Sequence, residues 1–196
     1  MNKTNYIKNA LFKATFVTLV LLFASCGPNK KTEDPKAVAE EHNKAKFDEN
    51  NKEQNAQFLV NAAEINLEEI QLGQLAQQNG RTTHVKELGK MLEDAHTKSQ
   101  NDLTALAKNK SITIPVSPTN NSQDAYNKLK EKSGNDFDKA YADMMVSKHK
   151  DAIAAFEKVS TDSNDPDIKN WAIVSLIDLR KHLDLSIICQ KKCNEM

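Results

Sequence analysis

The sequence predicts an all-α protein, a four-helix bundle with a short extra helix in the link between two helix pairs. Gly and Pro contribute only 5 residues each to a chain of 196, too few for the frequent turns of an all-β chain. The composition leans toward Ala, Leu, Lys, Glu, Gln and Asn, which suits soluble helices. No segment sustains period-2 alternation, whereas several repeat apolar residues at period 3.6. Helices with one apolar stripe each must bury those stripes against one another, and a bundle is the economical solution.

The first 25 residues read as an address. Lys3, Lys8 and Lys13 stand without an acid ahead of the apolar run Ala14 to Ser25. That run is shorter than the roughly 20 residues a spanning helix needs, and it matches a signal-peptide core. Leu22-Phe-Ala-Ser-Cys26-Gly27 resembles a bacterial lipobox, with Phe23 in place of the commoner Leu, so Cys26 is the expected lipidated N-terminus. Cleavage removes three lysines and takes the net charge from 0 to about −3. Multiple acylation gives stable attachment, at about 0.8 kcal/mol per buried CH₂. The expected home is the cell envelope of a Gram-negative bacterium, lipid-anchored at the outer membrane. Residues 26–52 form a polar tether carrying a short polar helix from Pro35 to Asp48.

The expected bundle occupies 53–193. Glu53 to Gln78 is the first long helix, striped by Phe58, Ala62, Ile65, Leu72 and Ala76, and Gly80 stops it. The second is N-capped by Thr82 or Thr83 and runs to about Asn109. Pro115 and Pro118 forbid helix in the stretch that follows. A short helix spans Ser122 to Lys132, and the third long helix runs from about Asp136 to Ser160. Asp165-Pro166 opens the fourth, with a cap residue followed by a proline at the first helical position. Tight turns make the first and second helices antiparallel, and likewise the third and fourth. The link between the pairs is long enough for a crossover of the kind found in ferritin-like bundles.

Zero net charge argues against a nucleic-acid binder that relies on a basic surface. Polar residues on apolar stripes are more informative. At about 100° per residue, Glu69 falls beside Phe58, Ala62 and Ile65, while Glu64 and Glu68 face away. His96 lies close to Leu92 and Leu103, with Glu93 at the stripe's edge. Asp178 and His182 share the face of Trp171 and Leu185, and His149 sits at the margin of the third stripe beside Lys148. Folding the helix pairs about their turns puts these groups at similar heights. Di-iron bundles use a Glu from each of two helices and a Glu-x-x-His from each of the others. Only Glu93-Asp-Ala-His96 meets that spacing here, so the pattern is incomplete. A satisfied polar contact that fixes helix register is preferred over a metal site. If a metal does bind, Glu69, Glu93, His96, His149, Asp178 and His182 are the candidate ligands, and iron, manganese or zinc the candidate ions.

Cys189-Gln-Lys-Lys-Cys193 is read first as a disulfide, given an oxidising envelope. Free thiols come second, and a soft-metal site with His182 last, because two turns separate His182 from Cys189. Met144 and Met145 are read as core filler. There is no Gly-rich phosphate loop, no G-x-S-x-G and no His-Glu-x-x-His.

Phe58-Leu-Val-x-Ala-Ala63, Glu68-Glu-Ile-Gln-Leu-Gly-Gln-Leu-Ala76, His96-Thr-Lys98, Phe137-Asp-x-Ala-Tyr141, His149 with Ala152-Ile153, and His182-Leu183 resemble a bacterial domain-of-unknown-function family of envelope proteins, often lipoproteins, over about Gln57 to Gln190. The resemblance implies a ferritin-like bundle and carries Glu69, His96, His149 and His182 over as site positions. The family usually has Asp directly before the second- and third-helix histidines, where this chain has Ala95 and Lys148. The preferred function is a non-enzymatic, membrane-anchored binding or stress-associated bundle. The alternative is a ferritin-like protein that binds or oxidises a transition metal, and a third is partner binding through Pro35–Asp48.

Overall fold

The computed structural model describes residues 33–47 and 50–196. The expected signal peptide, Cys26 and the first part of the expected tether lie outside the described residues. Six α-helices and no strands occur among those described: α1 (Pro35–Lys46), α2 (Asn50–Asn79), α3 (Thr83–Lys110), α4 (Asn120–Lys130), α5 (Gly134–Asp162) and α6 (Pro166–Asn194). None is long and apolar enough to cross a membrane.

The helix ends follow from local chemistry. Asp34 caps α1 by accepting from Lys36 N, with Pro35 at the first helical position. Asp165 does the same for α6, accepting from Asp167 N and Ile168 N ahead of Pro166. Thr119 caps α4 by accepting from Ser122 N. Thr82 occupies the cap position of α3 but makes no capping bond. Its hydroxyl is committed elsewhere, donating to Asp138 Oδ2 at 2.6 Å. Asp138 is fully buried at the start of α5 and also accepts from Arg81 N and Thr82 N. One carboxylate thus fastens the α2–α3 turn to α5.

The four long helices form a helical bundle. Pairings between Gln77 and Glu93 across α2–α3, Phe58 and Phe156 across α2–α5, Cys193 and His84 across α3–α6, and Asp143 and Gln190 across α5–α6 each match a residue low in one helix with one high in the next. Neighbouring helices around the ring are therefore antiparallel. Lys110 at the end of α3 lies beside Asp165 and Asp167, whereas the start of α5 lies at the opposite end, beside Arg81. The 111–133 link must therefore travel the length of the bundle. α4 rides on it against α2 and α5, burying Leu129 among Leu72, Leu75 and Phe137.

α2 and α3 approach closely because glycines meet at the crossing. A Cβ on Gly73 would stand 2.6 Å from the Gly89 carbonyl oxygen, and one on Gly89 would stand 2.7 Å from the Ala76 Cβ. α1 packs on α2 instead of extending away as tether. Asn43 donates to Thr113 O and accepts from Thr113 N, and Lys36 pairs with Glu64 at 2.5 Å.

The core is divided. One apolar cluster includes Leu72, Leu92, Phe137, Tyr141 and Met145; the other includes Phe58, Leu103, Ala152, Phe156 and Leu179. On every long helix the buried members of the two clusters are separated by about two to three turns. Asn66 and Glu69 fall in the gap on α2, His96 on α3, His149 on α5 and His182 on α6, all buried.

Candidate metal centre in the bundle core

Each of α3, α5 and α6 contributes one histidine to the gap, and together they form a near-equilateral triangle. Ring centroids lie 5.8 Å apart for His96–His149 and 5.4 Å apart for both His96–His182 and His149–His182. One ring nitrogen from each lies within 4.8 Å of the others. The rings are at most 5% exposed.

Neighbouring groups set the tautomers. The Asn66 amide is oriented by donating Nδ2–H to Gln100 Oε1, so its Oδ1 must accept, and His96 Nδ1–H donates to it at 2.9 Å. His149 Nδ1–H donates to the Met145 carbonyl at 2.9 Å. In both rings the Nε2 lone pair is left bare. His96 Nε2, His149 Nε2 and His182 Nδ1 are all buried without a hydrogen-bond partner. A second-layer acceptor that locks one nitrogen and presents the other is the usual arrangement behind a metal-ligating histidine.

Electrostatics keep the rings in the form a metal needs. Burial holds the pKa of all three below the ordinary histidine value: well below for His96, where the other two rings add to the effect, and down to about 4 for His182, where His149 adds and Asp178 opposes. The imidazoles are therefore neutral donors at pH 7. Burial pushes the Glu69 carboxyl up to about 8, against the pull of Lys148 and with a push from Glu68. Its Oε1 stands 3.9 Å from His149 Nδ1, too far for a hydrogen bond, and its Oε2 has no partner.

A cleft between α3 and α6 leads to this triangle. Lys98, Asp102 and Asp178 line it together with Trp171 and Phe156, and His96 and His182 stand among its lining residues. At about 80 Å³ it admits water or a small ion rather than an organic ligand, whose sites run to several hundred Å³.

Of the six candidate ligands, His96, His149 and His182 converge, with Glu69 beside them. Glu93 does not join them. It lies on the outer side of the α2–α3 crossing and accepts from Gln74 and Gln77. Asp178 is exposed and lines the cleft. Glu68, expected to face away, is buried and paired with Lys148 at 2.8 Å. The position before the second-helix histidine, Ala95, lines the cleft, and Lys148, before the third-helix histidine, is paired with Glu68. Asn66, which orients His96, was not singled out in the sequence, although it falls on the same α2 face as Glu69 and was open to the same projection.

The disulfide expected between Cys189 and Cys193 is absent. Both are free, buried thiols, because α6 stays helical through Asn194 and regular helix holds i, i+4 Cα atoms near the upper limit for a bridge. The histidine beside them is His84, from the first turn of α3, not His182.

A family model described as Domain of unknown function (DUF4142) matches residues 38–186. No curated protein and no solved structure matches the chain. The matched span contains the three converging histidines and Glu69, and it ends before Cys189.

Proposed function

The chain belongs to the domain-of-unknown-function family DUF4142, and we propose that this member is a ferritin-like transition-metal-binding protein whose ion is held by His96, His149 and His182. The single long crossover supports the ferritin-like reading. The observation that carries the metal reading is the set of three partnerless, buried ring nitrogens facing one another in neutral rings. Two bare lone pairs and a third partnerless ring nitrogen crowd together, and a Lewis acid placed among them satisfies all three at once.

The donor set selects the metal. Three imidazoles suit zinc, copper or nickel better than the hard, oxygen-preferring ions. A di-iron carboxylate centre does not fit these residues, because among the described residues α2 alone brings a buried carboxylate, Glu69, beside the triangle, and Asp178 of α6 is exposed. Three nitrogens bound to one tetrahedral ion at about 2.0–2.1 Å would stand about 3.4 Å apart, so the rings close inward on binding. A cation there favours ionised Glu69, which supplies a compensating charge, and the cleft lets water reach the remaining coordination position. This is a binding site with one accessible position, in place of the purely structural polar contact that the sequence favoured.

The lipobox at Leu22–Cys26 supports anchoring through Cys26 and a home in a Gram-negative outer membrane. Labelling with a palmitate analogue is expected in the wild type and lost in Cys26→Ser; labelling that persists would remove the anchor. The metal site is tested by anaerobic reconstitution of tag-free protein with zinc, copper or nickel followed by elemental analysis. One equivalent is expected to disappear in His96→Ala/His182→Ala while helicity is retained. Equal metal content in the folded variant, or no uptake by the wild type, would overturn the assignment.

A further inference from the structure

We propose that His84, Cys189 and Cys193 form a second metal site, built for a thiophilic ion and best matched by Cu(I). The three donors come from the first turn of α3 and the last turns of α6, and their ligand atoms all lie within 4.8 Å of one another. Cys193 Sγ stands 3.4 Å from His84 Nε2. The cysteines are four residues apart, so the helix itself presents both sulfurs on one face. Both are buried, at 4% and 6% exposure, and both are free.

Two sulfurs and one imidazole nitrogen make a soft donor set, which selects Cu(I) or zinc over harder ions. A structural zinc takes four protein ligands, whereas three donors complete a trigonal Cu(I) site. An open cavity lined by His84, Cys189 and the thioether-bearing Met91 gives the ion a way in, with Lys192 on its wall to offset anionic sulfur. Burial pushes the Cys189 thiol up to about 12 and raises Cys193 as well, so both wait as thiols. Binding breaks two S–H bonds, forms two Cu–S bonds and one Cu–N bond, and releases two protons to solvent with no change of oxidation state.

The site is separate from the histidine triangle and does not depend on it. Cys189 follows His182 by seven residues on α6, about 10 Å of helical rise, and the cysteines lie outside the span that matches the family model.

The test is anaerobic titration of reduced Cys26→Ser full-length chain with Cu(I) in competition with bicinchoninate. Sulfur-to-copper charge-transfer absorption reports the site. The expected result is one thiolate-bound equivalent in this chain. It should be lost in the added Cys189→Ser/Cys193→Ser pair and weakened at least tenfold by His84→Ala, which alters a partly exposed residue and spares the core. It should be unchanged in His96→Ala/His182→Ala, so failure of the first site leaves this signal standing. Charge-transfer absorption that is absent from the parent chain, or that survives loss of both cysteines, would overturn the proposal. So would a Cys189–Cys193 disulfide found by alkylation and mass spectrometry in native protein isolated from the envelope.

Discussion

Replacing Glu69 by Gln should stabilise the metal-free protein, and the gain should depend on pH in a way that only a buried, protonated carboxyl produces. The folded state holds the Glu69 proton up to about pH 8, while the unfolded chain releases it near the ordinary value of 4.5. Between those two values the folded state binds one proton more than the unfolded state, so stability falls as pH rises, by about 1.4 kcal/mol per pH unit. This is opposite in sign to the usual carboxylate, whose pKa is depressed by folding. Gln is close in shape to the protonated acid and has no proton to lose. The difference between variant and wild type should therefore be near zero at pH 4.5, grow through neutrality and level off above pH 8. The shift itself corresponds to on the order of 5 kcal/mol; with relaxation around an ionised group, about 2–4 kcal/mol at pH 8 is expected. Urea denaturation of both proteins at half-unit steps from pH 4.5 to 8.5, with chelator present, measures the difference curve. A flat curve, or a variant less stable than wild type at pH 8, would refute the assignment of Glu69 as a neutral acid in the core.

The three histidines bend stability the other way. Their folded pKa values are depressed, so below about 6.5 the unfolded chain takes protons that the folded one refuses; mutating His182 to Gln should flatten the acid limb of a stability–pH curve between pH 6.5 and 4, and an unchanged limb would count against burial of that ring in its neutral form. Gly73→Ala should cost about 1–3 kcal/mol, because its Cβ would meet backbone oxygen 2.6 Å away and force α2 from α3, whereas an open helical site would gain from the same change; calorimetry that shows a gain would remove the close crossing. Asp138→Ala leaves three donors without their acceptor and should cost about 3–5 kcal/mol, read by denaturant midpoint, with a loss under 1 kcal/mol contrary to the clasp described. Asn43→Ala severs two bonds to Thr113; amide exchange across Pro35–Lys46 should quicken while the long helices keep their protection, and uniform protection would mean that α1 is held by something else.

Much of this protein is written in local spacing. The Asp34 and Asp165 caps, the prolines behind them and the 3.6-residue stripes mark the helix ends to within a few residues, since capping and i, i+4 contacts involve groups close in the chain. The same stripes turn His96, His182 and Glu69 toward the core, where the structure buries them, whereas His149 projects only to a stripe's margin and is nonetheless buried. What the sequence leaves open is which polar residues at a stripe's edge turn in. Glu93 and Asp178 project near the core faces, yet Glu93 is held outside by Gln74 and Gln77, where Gly73 and Gly89 draw the helices together, and Asp178 is left at the cleft mouth. Helix crossing angles and distances decide such cases, and they depend on small residues on two helices at once.

The chain alone determined six helices, two tight turns and a set of buried ionisable groups, because these follow from backbone geometry within one or two turns. Only the tertiary structure decided that three histidines from three helices share one point, that the long link runs the full length of the bundle, and that Cys189 and Cys193 face His84, more than a hundred residues away. Those meetings are set by how rods pack against rods, and no local pattern records where a distant side chain will arrive.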